Sequence, residues 1–125
     1  MLKAFLSYRF EDRWARDVLV RRSKEYHVAP VSFIELPAVG AHDPWKPSAA
    51  RLIRSVDVAV VLVGASTRQS DPIEWEFFRA KSFNKPVVGV LLPQARPGSA
   101  PPYLAKEKVF MWDPDLILEA IRRLS

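Results

Sequence analysis

Two unbroken runs of apolar residues constrain this chain more than any other feature. Residues 58–63 read Val-Ala-Val-Val-Leu-Val, and residues 87–92 read Val-Val-Gly-Val-Leu-Leu. Neither run alternates apolar with polar side chains, and each has the length of a strand rather than of a helix. Such runs are typical of strands that are buried on both faces of a parallel sheet. They predict a central pair of strands with helices on either side.

Apolar runs and amphipathic segments alternate along the whole chain. Three further apolar runs, at residues 3–8, 31–36 and 109–112, predict three more strands. The amphipathic segments predict helices over residues 12–25, 48–56, 72–84 and 114–124. This alternation indicates an α/β, doubly wound sandwich with right-handed crossovers. We therefore predict a flavodoxin-like fold, with a five-stranded parallel sheet of order 2-1-3-4-5 and helices on both faces.

Length and composition indicate how many domains the chain forms and in which cellular compartment we expect it. At 125 residues and 49% hydrophobic content, the chain suits one domain with a core, so we predict a single domain over residues 1–125. No apolar run approaches the roughly 20 residues that cross a bilayer, and the N-terminus enters a charged segment at residues 9–13 without a signal-peptide pattern. We expect a cytoplasmic protein with no membrane partner.

The residue types that are absent or dispersed exclude several chemistries. The chain has no cysteine and two isolated histidines, so we expect no thiolate catalysis, no disulfide and no metal site. It lacks the glycine-rich dinucleotide loop and the P-loop that cradle phosphates on related folds. The net charge of +5 is spread among acidic residues, so we predict no nucleic-acid partner.

The third predicted helix contains two glutamates with different expected roles. Asp71 is a suitable N-cap and Glu74 lies three residues later, so the pair indicates a capping box. Glu76 instead falls on the apolar side of the helix, at about 100° per residue. The members of that apolar arc are Ile73, Phe77, Ala80 and Phe83. An ionised carboxylate in such a position needs a reason, because burying an unpaired charge is costly.

The predicted strand order brings two loops together at one crevice. In a sheet of order 2-1-3-4-5 the chain changes direction between the first and third strands, and ligands bind beyond their carboxyl ends. The loops at that point are residues 8–12 and 64–71. The helix that carries Glu76 follows the second loop. Topology and helical phase therefore both direct Glu76 to this crevice.

Several segments of the chain, taken in order, resemble one family. They are Phe-Leu-Ser-Tyr at residues 5–8 with Glu-Asp at 11–12, the segments 53–64 and 70–80, and Asn-Lys-Pro followed by an apolar strand at 84–90. Together they resemble a TIR-like domain, and in particular the short bacterial TIR-like proteins of the Thoeris anti-phage system, the ThsB family. The resemblance covers nearly the whole chain and implies the same flavodoxin-like sheet.

The resemblance implies an enzyme that cleaves NAD at its nicotinamide glycosidic bond. In such domains the catalytic glutamate lies four residues before a helical alanine, and Glu76 lies four residues before Ala80. NAD would be the substrate, with no resident cofactor. The product would be a cyclic ADP-ribose type signal in anti-phage defence, read by a separate effector. Self-association or a phage-derived trigger would activate the enzyme.

Seven further residues are predicted to bind the substrate. They lie in the crevice loops and in the long segment 37–47: Ser7, Tyr8, Arg9, Phe10, Trp45, Thr67 and Arg68. Arg9 or Arg68 would pair with the pyrophosphate, and Phe10 or Trp45 would stack on a ring of the substrate. The segment that carries Trp45 is a candidate lid.

Two other functions stay open on the sequence. A non-catalytic TIR module would act by self-association or by docking a partner, and an arginine such as Arg79 or Arg9 would then satisfy Glu76. A nucleoside deoxyribosyltransferase-like enzyme would share the sheet and the glutamate, but it usually carries further acidic residues at the site. Apart from Glu74 and Asp71, the sequence predicts none near Glu76, which counts against that enzyme.

Overall fold

Five parallel strands form one sheet in the computed structural model, which describes residues 2–25, 31–35, 45–96 and 98–124. The strands are β1 (Leu2–Ser7), β2 (Val31–Ile34), β3 (Val58–Val63), β4 (Val87–Leu91) and β5 (Lys108–Met111). Their order across the sheet is β2-β1-β3-β4-β5. The predicted strand order is confirmed, and with it the flavodoxin-like fold.

The described residues form four α-helices, which cover both faces of the sheet. They are α1 (Arg13–Glu25), α2 (Trp45–Ser55), α3 (Asp71–Ser82) and α4 (Pro114–Leu124). Helices α1 and α4 pack on one face, and α2 and α3 pack on the other. Across the same described ranges, every helix is too short or too polar to span a bilayer.

Strand β3 occupies the centre of the sheet, and all six of its residues are buried. Successive side chains of a strand point to opposite faces. Val58, Val60 and Leu62 pack with α1 and α4, whereas Ala59, Val61 and Val63 pack with α2 and α3. An unbroken apolar run is therefore required here, because neither face of this strand meets water.

Helix α3 begins with a different cap from the one predicted. Ser70 is the N-cap, and its Oγ accepts a hydrogen bond of 3.3 Å from the backbone nitrogen of Ile73. Asp71 is the first helical residue and Glu74 is exposed, so the predicted capping box was wrong by one position. Serine and aspartate are similarly good N-caps, which leaves adjacent candidates unresolved by residue type. Both acids still lie in the first turn, where the helix dipole favours negative charge.

Helix α2 begins earlier than predicted and takes in the end of the segment 37–47. Trp45 is its first residue and Pro47 its third, so both are helical rather than part of a loop. Proline is tolerated there, because the first amides of a helix have no intrahelical acceptor. Residues 37–44 of the predicted lid lie outside the described residues. Trp45 itself is fixed to α3, where its ring meets Trp75 edge-on at a centroid distance of 5.1 Å.

Candidate functional site

A cleft of about 970 Å³ lies beyond the carboxyl ends of β1 and β2, against the start of α3. Its walls include Tyr8 and Phe10 after β1, Glu35 after β2, and Glu76 of α3. The volume falls in the range of small-molecule and cofactor sites, roughly 300–1,000 Å³. Residues 69–70 of the loop after β3 also line the cleft, so it reaches the crevice between β1 and β3 that the strand order predicts.

Glu76 lies in the cleft wall with 8% of its surface exposed. The hydroxyl of Ser7, the last residue of β1, donates a 3.0 Å hydrogen bond to Glu76 Oε1. Burial raises the pKa of Glu76 from 4.5 to about 7, and the hydrogen bond from Ser7 lowers it in part. Among the described residues, no cation contributes to this pKa. Glu76 is thus a buried carboxylate that accepts a hydrogen bond from one hydroxyl, that of Ser7.

The two arginines that would pair with Glu76 under the non-catalytic alternative have other partners. Arg9 donates to the carbonyl of Ser66 at 3.3 Å, and its Nε lies 3.8 Å from a carboxylate oxygen of Glu11. The guanidinium of Arg79 lies over the ring of Trp75, 4.9 Å from the centroid. The alternative in which Arg79 or Arg9 neutralises Glu76 at the edge of the core is therefore not supported by their contacts.

An uncompensated carboxylate of this kind can stabilise a positive charge that develops beside it. Water is largely excluded around Glu76, so its interaction with a cation is screened less than at the surface. Near neutral pH the group divides between its protonated and ionised forms, because its pKa is about 7. A cation entering the cleft would favour the ionised form.

Glu35 is a second carboxylate residue in the cleft wall, and it was not predicted from the sequence. The Tyr8 hydroxyl donates to Glu35 Oε2, and Arg16 Nε donates to Oε1 at 3.0 Å. Burial, followed by the hydrogen bond to Glu35, raises the pKa of Tyr8 to about 12, so this phenol stays a donor. The expectation that only Glu74 and Asp71 accompany Glu76 was therefore wrong. The signal was available, since Glu35 directly follows β2 and parallel strands end at one edge.

The predicted residues after β1 reach the cleft. Tyr8, Arg9 and Phe10 all line it, and Ser7 adjoins it through Glu76. The ring of Phe10 is 82% exposed, so it is free to stack on a planar group. Arg13, at the start of α1, also lines the cleft and was not predicted.

Three other predicted residues make their contacts outside the cleft wall. Thr67 is fully buried, and its hydroxyl accepts from the amide of Gly64 at 2.8 Å and donates to the carbonyl of Leu62 at 3.2 Å. Arg68 donates to the carbonyl of Gly98 at 3.1 Å. Trp45 packs on Trp75, as described above. Thr67 thus shapes the loop after β3 instead of presenting its hydroxyl to a ligand.

A buried aspartate ties together the loops that follow β1, β3 and β4. Asp12 is 1% exposed, and its Oδ1 accepts a 2.9 Å hydrogen bond from the side-chain amide of Gln94. A Cβ on Gly64 would lie only 2.3 Å from Asp12 Oδ2, an oxygen with no hydrogen-bond partner among the described residues. Burial raises the pKa of Asp12. The close approach explains why residue 64 is glycine.

Comparison with known proteins identifies a family and supports the fold. The family model described as "Thoeris protein ThsB, TIR-like domain" matches residues 5–97 of the 125-residue chain. No protein with a curated description matches.

Among solved structures, the apo form of translation elongation factor SelB from Methanococcus maripaludis is similar, with a TM-score of 0.60 and 11% sequence identity. That match covers 99% of this chain and 34% of the SelB chain, so this chain spans about a third of the SelB structure. At this identity the likeness shows the fold alone. The family match, by contrast, runs from β1 to beyond β4 and includes Glu76. The chain belongs to the TIR-like domain family of the Thoeris defence protein ThsB.

Proposed function

We propose that this TIR-like domain consumes NAD by cleaving its nicotinamide glycosidic bond. The observation that carries the proposal is Glu76, a buried carboxylate in the cleft that a single hydroxyl supports. Membership of the ThsB family adds support, because the glutamate that the family resemblance selects is the same residue.

One carboxylate is sufficient for this reaction. When the bond between C1′ of the ribose and the pyridinium nitrogen breaks, its electron pair stays with nicotinamide, which leaves as a neutral molecule. No general acid is needed to protonate the leaving group, in contrast to ordinary glycosidases. The ribose becomes an oxocarbenium ion, and the ionised carboxylate of Glu76 stabilises its positive charge.

The acceptor that captures the ribosyl cation decides the product. Attack by water, with loss of a proton, gives ADP-ribose. Attack by a ring nitrogen of the adenine of the same molecule gives a cyclic ADP-ribose, which we propose as the signal in defence. Arg9 and Arg13, both in the cleft wall, would bind the pyrophosphate, and Phe10 would stack on a ring of the substrate. A separate effector would then detect the product.

The test is release of nicotinamide from NAD, measured by mass spectrometry, with purified protein alone and with phage-infected lysate. We expect Glu76→Gln to reduce release by roughly 100-fold, the usual effect of removing one electrostatic contact to a transition state. Glu74→Gln is the matched control, because Glu74 is an exposed glutamate on the same helix. The same spectra separate cyclic from linear ADP-ribose.

Two results would contradict the proposal. Equal release by the wild type and by Glu76→Gln would show that the site is assigned wrongly. No release by the wild type, even with infected lysate, would support a non-catalytic module that acts by self-association or by docking a partner.

Replacing Ser7 should change the pH dependence of the reaction. The value of kcat/KM is expected to rise with pH around a midpoint near 7, because it reports the free enzyme, in which Glu76 must ionise and has a pKa of about 7. Ser7→Ala removes the hydrogen bond that lowers this pKa, so the midpoint should move up by about one pH unit or more. Ser23→Ala is the control, since Ser23 is a buried serine that donates to the carbonyl of Val20. An unchanged midpoint in Ser7→Ala would show that this hydrogen bond does not tune Glu76.

A second candidate function is transfer of a deoxyribose between bases. Glu35 favours it, because this carboxylate supplies the further acid in the cleft that such enzymes usually carry. Incubation with a deoxynucleoside and a different free base tests this reaction. Formation of the exchanged nucleoside, without cleavage of NAD, would select it over the NAD-consuming function.

A further inference from the structure

We propose that Glu35 recognises the adenosine ribose of the dinucleotide when its 2′-hydroxyl carries no phosphate, so that the cleft selects NAD over NADP. The identity of the dinucleotide rests on the function proposed above. Glu35 directly follows β2 and lines the same cleft as Glu76.

The carboxylate of Glu35 is anchored on both oxygens. Tyr8 donates to Oε2 from the loop after β1, and Arg16 donates to Oε1 from α1. Each carboxylate oxygen can accept two hydrogen bonds, so each retains one site for a further donor. The side chain is 25% exposed. Glu35 is thus a fixed acceptor in the cleft that suits the paired hydroxyls of a ribose.

The position of Glu35 in the sheet agrees with this role. Strand β2 pairs in parallel with β1, and Ile34 is the register partner of Phe5. Glu35 therefore projects from the edge of the sheet beside the residues that follow β1. In dinucleotide-binding folds an acidic side chain in this kind of crevice accepts a hydrogen bond from the ribose 2′-hydroxyl. The chain provides that acceptor although it lacks the glycine-rich loop of those folds.

The charges around Glu35 oppose a phosphate on the ribose. NADP sites use an arginine to bind the 2′-phosphate. Arg16, the arginine in contact with Glu35, donates to it and also donates from Nη1 to Asp17 Oδ1 at 2.9 Å. The two arginines of the cleft wall also lie beside carboxylates, Arg9 3.8 Å from Glu11 and Arg13 4.0 Å from Asp17. The carboxylate of Glu35 would therefore repel a 2′-phosphate. The arginines nearby would not offset this repulsion fully, because each already contacts a carboxylate. A 2′-phosphate would also lose the hydrogen bond that the 2′-hydroxyl of NAD can donate.

The test measures binding of NAD and of NADP by isothermal titration calorimetry, in a Glu76→Gln background that prevents turnover. We expect this background to bind NAD at least about 10-fold more tightly than NADP, as hydrogen bonds to charged groups imply. Adding Glu35→Gln should reduce the preference by roughly 10-fold, because it removes the charge and leaves Arg16 more available to a phosphate. Tyr8→Phe, which keeps the charge but removes one anchor, should reduce it by less.

Asp17→Asn is the matched control. Asp17 is an exposed acid on α1 that also contacts Arg16. Asp17→Asn therefore removes one negative charge beside Arg16, as Glu35→Gln does, but leaves Glu35 unchanged. The control should keep the preference for NAD. An equal loss in Asp17→Asn and Glu35→Gln would overturn the proposal in favour of a general charge effect.

Other outcomes separate this inference from the proposed enzyme. Equal affinities for NAD and NADP, or no binding of either, would overturn the role of Glu35. If the wild type releases nicotinamide equally well from both dinucleotides, the proposed function stands and the inference fails. If it releases none but the Glu35-dependent preference is measured, the inference stands and the cleft binds the dinucleotide without cleaving it.

Discussion

Glu76→Gln should raise the free energy of unfolding by about 3 kcal/mol at pH 8, while it reduces the proposed activity by roughly 100-fold. The pKa of Glu76 is about 7 in the folded protein and 4.5 without burial, and each unit corresponds to about 1.4 kcal/mol. Between these values the folded state binds more protons than the unfolded state, so wild-type stability falls as pH rises. Glutamine does not titrate. The gap between variant and wild type should therefore grow from pH 4.5 to 7 and stay constant above pH 7.

Denaturant titrations at pH 4, 6 and 8 measure this gap. Glu74→Gln is the control, because Glu74 is exposed and surface substitutions usually change stability by less than about 0.5 kcal/mol. A gap that is the same at all three pH values, or one that shrinks toward pH 8, would contradict the burial of an uncompensated carboxylate. The expected result is a buried carboxylate that the fold holds at a cost to stability.

Gly64→Ala should destabilise the protein by about 3 kcal/mol, because its new methyl group has no room. The added Cβ would lie 2.3 and 2.4 Å from the two carboxylate oxygens of Asp12. Overpacking of this kind typically costs about 1–3 kcal/mol. Displacing Asp12 would also break its hydrogen bond with Gln94, which adds about 1 kcal/mol. Asp12 is 1% exposed, so its side chain cannot move away into solvent without wider rearrangement.

A double-mutant cycle separates this clash from other effects of alanine. In an Asp12→Ala background the space beside residue 64 is vacant, so Gly64→Ala should then cost at least about 2 kcal/mol less than in the wild type. Denaturant titration of the four proteins gives the coupling. If the cost of Gly64→Ala is the same in both backgrounds, then Asp12 is not the reason for glycine at this position.

The sheet could be predicted because its signal is contained in short stretches of sequence. The run 58–63 is apolar at every position, and only a strand with both faces covered needs that pattern. Strand order then follows from the alternation of strands and helices and from the handedness of crossovers. The ends of elements were less predictable. Ser70 and Asp71 are both good caps, and the contacts of the folded helix decide between them.

The site could be predicted in part, and the misses have a common cause. The burial of Glu76 beside the cleft could be predicted because its helical phase conflicts with its charge, a conflict visible within one helix. The place of Glu35 beside the end of β2 could have been predicted, but its pairing with Tyr8 and Arg16 could not, because these residues are distant in sequence and meet it only in the fold. The packing partner of Trp45 could not be predicted for the same reason. An aromatic residue before a helix has no visible partner in sequence, and here that partner is Trp75.

The sequence by itself determined the layered α/β architecture, the central position of β3 and the presence of one acid on the apolar side of α3. These follow from periodicity and residue type, which act over a few residues. Only the tertiary structure decided which polar groups satisfy one another. Arg9 and Arg79 bind elsewhere, and Ser7 is the hydroxyl that reaches Glu76. Such pairings depend on distances of about 3 Å between separate elements, and packing of the whole domain sets those distances.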